Sequence, residues 1–157
     1  MENSFIDFLK IIDPRIITFR YDSNKPKVLL RGQEEPSPLK KLGDGVGRFV
    51  AIGMALVNAK NKVLLIDEFE VGLHHSVQKQ LWDIIFKYAK EWNIQVFVTT
   101  HSRDSVKAFS YISSKEEYKN MGQCMRLQQA KKTGDIEAVI YTEKSLDFAI
   151  EDNLETR

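Results

Sequence analysis

Val63-Leu64-Leu65-Ile66-Asp67-Glu68 is the stretch whose reading decides the fold of this chain. Four apolar residues run without interruption into two adjacent carboxylates. A short, wholly apolar run predicts a strand buried on both faces, as in a parallel sheet covered by helices. Open α/β sheets bind their ligands at the carboxyl ends of the strands, so an acid pair at that end is placed for chemistry. The pattern suits phosphoryl transfer, in which one carboxylate holds Mg2+ through water and the next polarises the attacking water. The same letters also describe a strand that ends in surface acids, and the flanking sequence must discriminate.

Downstream, Phe69 to His75 leads into Ser76, which is placed to cap a helix. Val77, Leu81, Ile84, Ile85, Tyr88, Ala89 and Trp92 then form one stripe at 3.6-residue spacing, predicting an amphipathic helix that faces the core. Ile94 to Val98 predicts a second buried strand. Strand, helix and strand in this compass make a βαβ unit with parallel strands and a right-handed crossover. The second strand runs into Thr99-Thr100-His101-Ser102, so His101 is expected at the same sheet edge as Asp67 and Glu68.

Upstream lies Leu42-Gly43-Asp44-Gly45-Val46-Gly47-Arg48, followed at once by the helical pattern Phe49, Ile52, Ala55, Leu56. Alternating glycines at a helix start leave backbone N–H groups for an anion. Arg48, in the first turn, could add a bidentate phosphate contact. A flexible loop closed by a capping glycine is the alternative. The Rossmann fingerprint does not fit, because no strand directly precedes the loop and the third glycine falls one residue short.

The remaining elements are peripheral. Phe5, Phe8, Leu9 and Ile12 predict a helix stopped by Asp13-Pro14. Ile16–Tyr21 and Val28–Leu30 predict an antiparallel hairpin about the turn Asp22–Pro26, and Glu34–Pro38 an irregular connector. Arg103–Ser110 reads as a helix, Met125–Gln129 and Ile136–Tyr141 as a hairpin about Lys131–Asp135, and Glu143–Leu154 as a closing helix with Leu146, Ala149 and Ile150 inward.

Composition narrows the class. A chain of 157 residues suits one domain, and 43% hydrophobic with 29% charged residues fits a globular protein. A net charge of +1 supplies no general attraction to nucleic acid or membrane. The single Cys124 excludes an internal disulfide and suits a reducing cytoplasm. No apolar run approaches the roughly 20 residues of a membrane span. The acidic start MENSFIDFLKIIDPR lacks the cationic region of a signal peptide.

Two carboxylates and a histidine at one sheet edge, facing a glycine loop, predict a nucleotide-phosphate site. Asp67 would hold Mg2+ through water, Glu68 orient or deprotonate the attacking water, and His101 contact a γ-phosphate. A transition-metal site built from His74, His75, His101 and the acids is the alternative. Against it, adjacent histidines of an extended chain point to opposite sides, and neither HExxH nor CxxC occurs. Cys124 has no local support as a nucleophile, since Met125 onward predicts a buried strand. No GxxxxGK[ST] occurs in these residues, so the lysine-bearing phosphate cradle is missing and only half of a site is expected.

Leu42 to Arg48, Val63 to Glu68, Gly72 to His74 and Thr100-His101 stand in the order of the signature, Walker B, D-loop and H-loop motifs of ABC-type ATPases. LGDGVGR, VLLIDEFEVGLHHSVQ and VFVTTHS together resemble bacterial AAA-like ABC-type ATPases related to the overcoming-lysogenization-defect and SMC/RecF groups. The resemblance runs from about Phe8 to the C-terminus. It implies an α/β, P-loop NTPase-like fold of the ABC-ATPase type: a C-terminal lobe with parallel core strands, flanking helices and peripheral β-hairpins, forming one partial ATPase domain over residues 1–157. It implies Asp67 as the Walker B magnesium residue, Glu68 as the catalytic glutamate and His101 as the switch histidine. Gly43, Asp44, Gly45 and Arg48 would belong to the signature loop, which in a head-to-tail dimer contacts ATP bound to the other subunit. Gly72, Leu73 and His74 would form the D-loop across that interface.

The implied cofactors are Mg2+ and ATP. The implied partners are a second copy or a chain bearing Walker A, with nucleic acid or a nuclease at the level of the assembly and no membrane. The implied location is the cytoplasm. Three departures stand out. Gly43 replaces the signature serine, His74 stands where many ABC proteins have aspartate, and the half carrying Walker A and the Q-loop is absent. The expected function is the C-terminal portion of an ATP-hydrolysing enzyme, inactive without Walker A. A non-catalytic interaction module and a remnant of such an ATPase are the alternatives.

Overall fold

The computed structural model describes residues 2–43, 45–130 and 133–151. In chain order these form α1 (Glu2–Leu9), β1 (Ile16–Asp22), β2 (Lys25–Leu30), β3 (Ser37–Pro38), α2 (Val46–Asn58), β4 (Val63–Ile66) and α3 (His75–Glu91). β5 (Gln95–Val98), α4 (Arg103–Ser113), β6 (Cys124–Gln129), β7 (Ile136–Tyr141) and α5 (Glu143–Glu151) follow. Part of the expected 131–135 turn (residues 131–132), the signature-loop Asp44 and the expected end of the closing helix lie outside the described residues.

The βαβ unit forms as its periodicity predicts. β4 and β5 pair in parallel, from Val63 opposite Gln95 to Ile66 opposite Val98. α2 packs on β4, and α3 packs on both α2 and β5. The strands are covered on one face only, which corrects the expectation of two buried faces. Ile66 is in the core, whereas Val63, Leu65 (74% exposed) and Phe97 look outward. The alternation of a strand sends every second side chain to the far face. Among the described residues no element packs there.

α3 is buried more widely than its single stripe suggests. Trp82 and Phe86 are in the core alongside Leu81, Ile84, Ile85 and Tyr88. α4 supplies the second covering surface, and the Trp82 indole N–H donates to the Ser105 carbonyl at 3.1 Å. The helix N-cap is His74, whose ring nitrogen accepts from the Ser76 N–H. Ser76, expected as the cap, therefore lies inside the first turn.

At the other side, α1 crosses α2 and closes over the β1–β2 hairpin. Ser23 and Asn24, at φ 49° and 62°, make the reversal alone. Two consecutive left-handed residues match the twist of a hairpin, so the turn is shorter than the expected Asp22–Pro26. Pro26 pairs with Tyr21 inside the ladder. Ser37–Pro38, read as irregular, adds a short third strand opposite Lys27 and Val28.

β6 and β7 pair antiparallel in the expected hairpin. Met125, Leu127 (67% exposed), Ile136 and Ile140 share one outward face. The strand from Met125 is thus not buried as expected, again because nothing described packs on that face. Cys124 is half-buried, and burial raises its thiol pKa above the ordinary value. Leu146 and Ala149 of α5 are in the core as predicted, and Ile150 is half-buried. No helix among the described residues is long and apolar enough to cross a membrane.

Candidate functional site

The parallel register places the residues after Ile66 beside those after Val98. The ladder continues for two more bonds, with Thr99 N–H donating to the Ile66 carbonyl and Phe69 N–H to the Thr99 carbonyl, each at 2.9 Å. Phe69 is fully buried and stacks on Trp82 at 4.5 Å between centroids. With Phe69 anchored inward, the residues on either side are held at the surface. Asp67 and Glu68 are exposed, and Glu70 is half-buried.

Side chains complete what the ladder leaves open. The Thr99 hydroxyl donates to Asp67 Oδ1 and accepts the Glu68 N–H at 2.9 Å. Glu70 accepts the Thr100 hydroxyl at 2.5 Å and the His101 N–H at 2.8 Å. Burial pushes the Glu70 carboxyl up, but the Thr100 hydroxyl and backbone N–H groups outweigh it and hold the pKa below its ordinary value. His101 is exposed at the same sheet edge as Asp67 and Glu68. Thr99 and Glu70 carry no role in the sequence reading, and Thr100 enters it only as the first residue of the H-loop motif. The available signal was a polar doublet ending a parallel strand, with a third acid just past the first pair.

The glycine loop reaches this edge from below. α2 starts at Val46 with Gly45 as N-cap and no side-chain cap, and the Val46 N–H donates to the Gly43 carbonyl at 3.3 Å. Gly43 has φ 115°, open to glycine and strained for other residues. A Cβ on Gly45 would stand 2.6 Å from the Gly72 carbonyl oxygen, so this loop and the turn at Gly72 touch through their backbones. Arg48 points at the acid turn: its Nη2 donates to the carbonyls of Asp67 and Glu68, the latter at 3.2 Å. In this structure its guanidinium thus braces the turn that carries the carboxylates. Glu68 sits at φ 48°, a conformation that costs a non-glycine residue on the order of 1 kcal/mol. Its N–H, held by Thr99, and its carbonyl, held by Arg48, keep it there. His74 and His75 do not point to opposite sides as in an extended chain: at the start of α3 their rings lie together at 4.1 Å between centroids, and His74 Nδ1 lies 2.8 Å from the Ser76 hydroxyl.

The donor set is tested against magnesium on its chemistry. The Asp67 carboxylate and the Thr99 hydroxyl are hard oxygen groups at one strand end. Among the described residues no three His, Cys, Asp or Glu side chains converge on a point. An ion here would complete its shell from water and phosphate oxygens, which is the habit of Mg2+. The residues fit that ion.

Residues 4–106, more than half of the chain, match the family described as "AAA domain, putative AbiEii toxin, Type IV TA system". A protein of Helicobacter pylori (strain ATCC 700392 / 26695), named ATP/GTP phosphatase, is 26% identical over 133 residues. That alignment takes in 82% of this chain and 36% of the relative, so the chain spans about a third of that protein's length. The fold is similar to a structure from work on ATP-driven dimerization and DNA-stimulated activation of SMC ATPases. There the TM-score is 0.64 and the identity 11%, covering 97% of this chain and 89% of the other. The SMC head domain from Thermotoga maritima matches with TM-score 0.62 and 16% identity, over 90% of this chain and 47% of that one.

Proposed function

The chain belongs to this AAA-domain family and has the P-loop ATPase fold of the SMC/RecF-like group, and we propose that it supplies the magnesium and water side of an ATP-hydrolysing site whose phosphate loop comes from another segment. The observation that carries the reading is the Thr99 hydroxyl bridging the Asp67 carboxylate and the Glu68 N–H. It sets the acid pair at the strand ends, beside the turn that carries His101. Asp67 is the residue that would hold Mg2+, and the ion would supply charge neutralisation at the phosphates. Glu68 orients the attacking water and accepts its proton. His101 contacts the γ-phosphate. The signature loop with Gly43, Asp44 and Gly45 would contact the phosphates of a nucleotide held by a second copy. Arg48 braces the acid turn in the meantime, and His74 faces the same interface.

The lysine-bearing cradle is the part these residues do not contain. Its segment would cover the outward face of Val63, Leu65 and Phe97, as burial of so much apolar surface favours. That segment is the rest of the same ATPase or a separate chain. The same open faces favour a second reading, a docking module that closes over a partner's nucleotide and hydrolyses nothing. Glu68→Gln separates the two in the assembled ATPase. Catalysis by this chain predicts a loss of hydrolysis on the order of 10²-fold or more, and the docking reading predicts an unchanged rate.

A further inference from the structure

Each of the two turns at the sheet edge has backbone groups that the strand ladder does not reach. The last ladder bond is Phe69 N–H to the Thr99 carbonyl. The Glu68 N–H and the His101 N–H are each satisfied instead by a side chain from the opposite turn, Thr99 Oγ1 for the first and Glu70 Oε1 for the second. The exchange is reciprocal. The histidine turn lends a hydroxyl to the acid turn, and the acid turn lends a carboxylate to the histidine turn. Thr100, held by Glu70 at 2.5 Å, also accepts the Ser102 N–H at 3.1 Å, which shapes the start of α4. Both Glu70 oxygens are engaged as acceptors, so this carboxylate acts through its neighbours.

Resting on the ATPase reading above, we propose that Glu70 and Thr99 are positioning residues that latch the acid turn to the histidine turn, so that Asp67, Glu68 and His101 keep one geometry and move as one unit. Glu68 gives the latch its purpose. A left-handed glutamate reverts to an ordinary conformation unless its flanking peptides are held, and Thr99 holds the N–H side. A displacement of His101 is passed to the acid turn through the bond from its N–H to Glu70.

Amide hydrogen exchange on the chain, read residue by residue by NMR, tests the geometry apart from catalysis. Glu70→Ala is expected to speed exchange at His101, and Thr99→Val at Glu68, each by at least about tenfold, the scale of losing a hydrogen bond to a charged or buried partner. Amides inside α3 stay unchanged. Glu70→Gln keeps an acceptor oxygen and Thr99→Ser keeps the hydroxyl, so both should restore most of the protection. In the hydrolysing assembly, Glu70→Ala and Thr99→Val should lower kcat about tenfold with the KM for ATP within about twofold, and the Gln and Ser variants should recover kcat. Unchanged exchange at His101 and Glu68, or failure of Gln and Ser to restore it, overturns the latch. If exchange responds as expected while the wild-type assembly hydrolyses no ATP, the latch stands and the ATPase reading falls.

Discussion

Gly53 of α2 lies under the ring of Phe8, and Gly53→Ala tests that packing directly. A methyl built there would stand 2.1 Å from Phe8 Cε1, 2.5 Å from Cζ and 2.6 Å from Cδ1. Non-bonded carbons prefer at least about 3.5 Å, so the ring must retreat by roughly 1.5 Å. It has little room to do so. Phe8 is 2% exposed, leans on Phe49 at 4.6 Å and stacks on Phe5 at 6.0 Å. Forcing a methylene-sized group into a core costs about 1–3 kcal/mol, and a 2.1 Å contact with a ring that cannot retreat puts this site in the upper half, about 2–3 kcal/mol, while complete loss of the ring's packing bounds the cost at about 3–5 kcal/mol. Alanine in place of glycine inside a helix returns about 1 kcal/mol. Urea unfolding followed by far-UV circular dichroism should therefore show a net destabilisation of about 1–2 kcal/mol. The sign should reverse in a Phe8→Ala background, where the same substitution stabilises by about 0.5–1 kcal/mol because only the helix preference remains. A neutral or stabilising Gly53→Ala in the otherwise native chain refutes the packing described here.

Two further predictions concern the sheet edge and its strands. In the isolated chain, Leu65→Gln should change the unfolding free energy by less than about 0.5 kcal/mol. Its neighbour Ile66→Ala should cost about 2–5 kcal/mol, and equal costs would refute the one-sided burial of β4. The Glu70 carboxyl is held below its ordinary value of 4.5, so its contribution to stability is present above pH 4.5 and lost as the pH falls through the lower, folded value. Exchange at the His101 amide should therefore accelerate, relative to its intrinsic rate, below pH 4.5 in the native chain, and Glu70→Gln should lack this step.

The βαβ unit was legible because both of its signals are local. An apolar run, a stripe at 3.6 spacing and a second apolar run leave one arrangement. The meeting of Asp67, Glu68 and His101 at one edge followed from parallel pairing alone. The open face of Leu65 and Phe97 was not legible. An apolar strand records what it is suited to contact and is silent about whether the covering element is present. Trp82 and Phe86 were missed because one stripe accounted for the helix, and the second stripe depends on where α4 packs. His74 and Ser76 can each accept an N–H at a helix start, and only the backbone decides between them. Glu70 reads as surface charge until Thr100 and His101, some thirty positions later, arrive beside it. Pro26 argues against a strand by its missing N–H, yet a two-residue turn at Ser23-Asn24 carries the ladder past it.

The central claim is that this chain holds one side of a nucleotide site and lacks the phosphate cradle. Calorimetric titration of the purified chain with ATP in the presence of Mg2+ tests it most directly. The account predicts no binding in the micromolar range by the chain alone, and micromolar binding once a segment bearing GxxxxGK[ST] is supplied. Micromolar, one-to-one binding by the chain alone would contradict it, because these residues would then build a complete site without that loop.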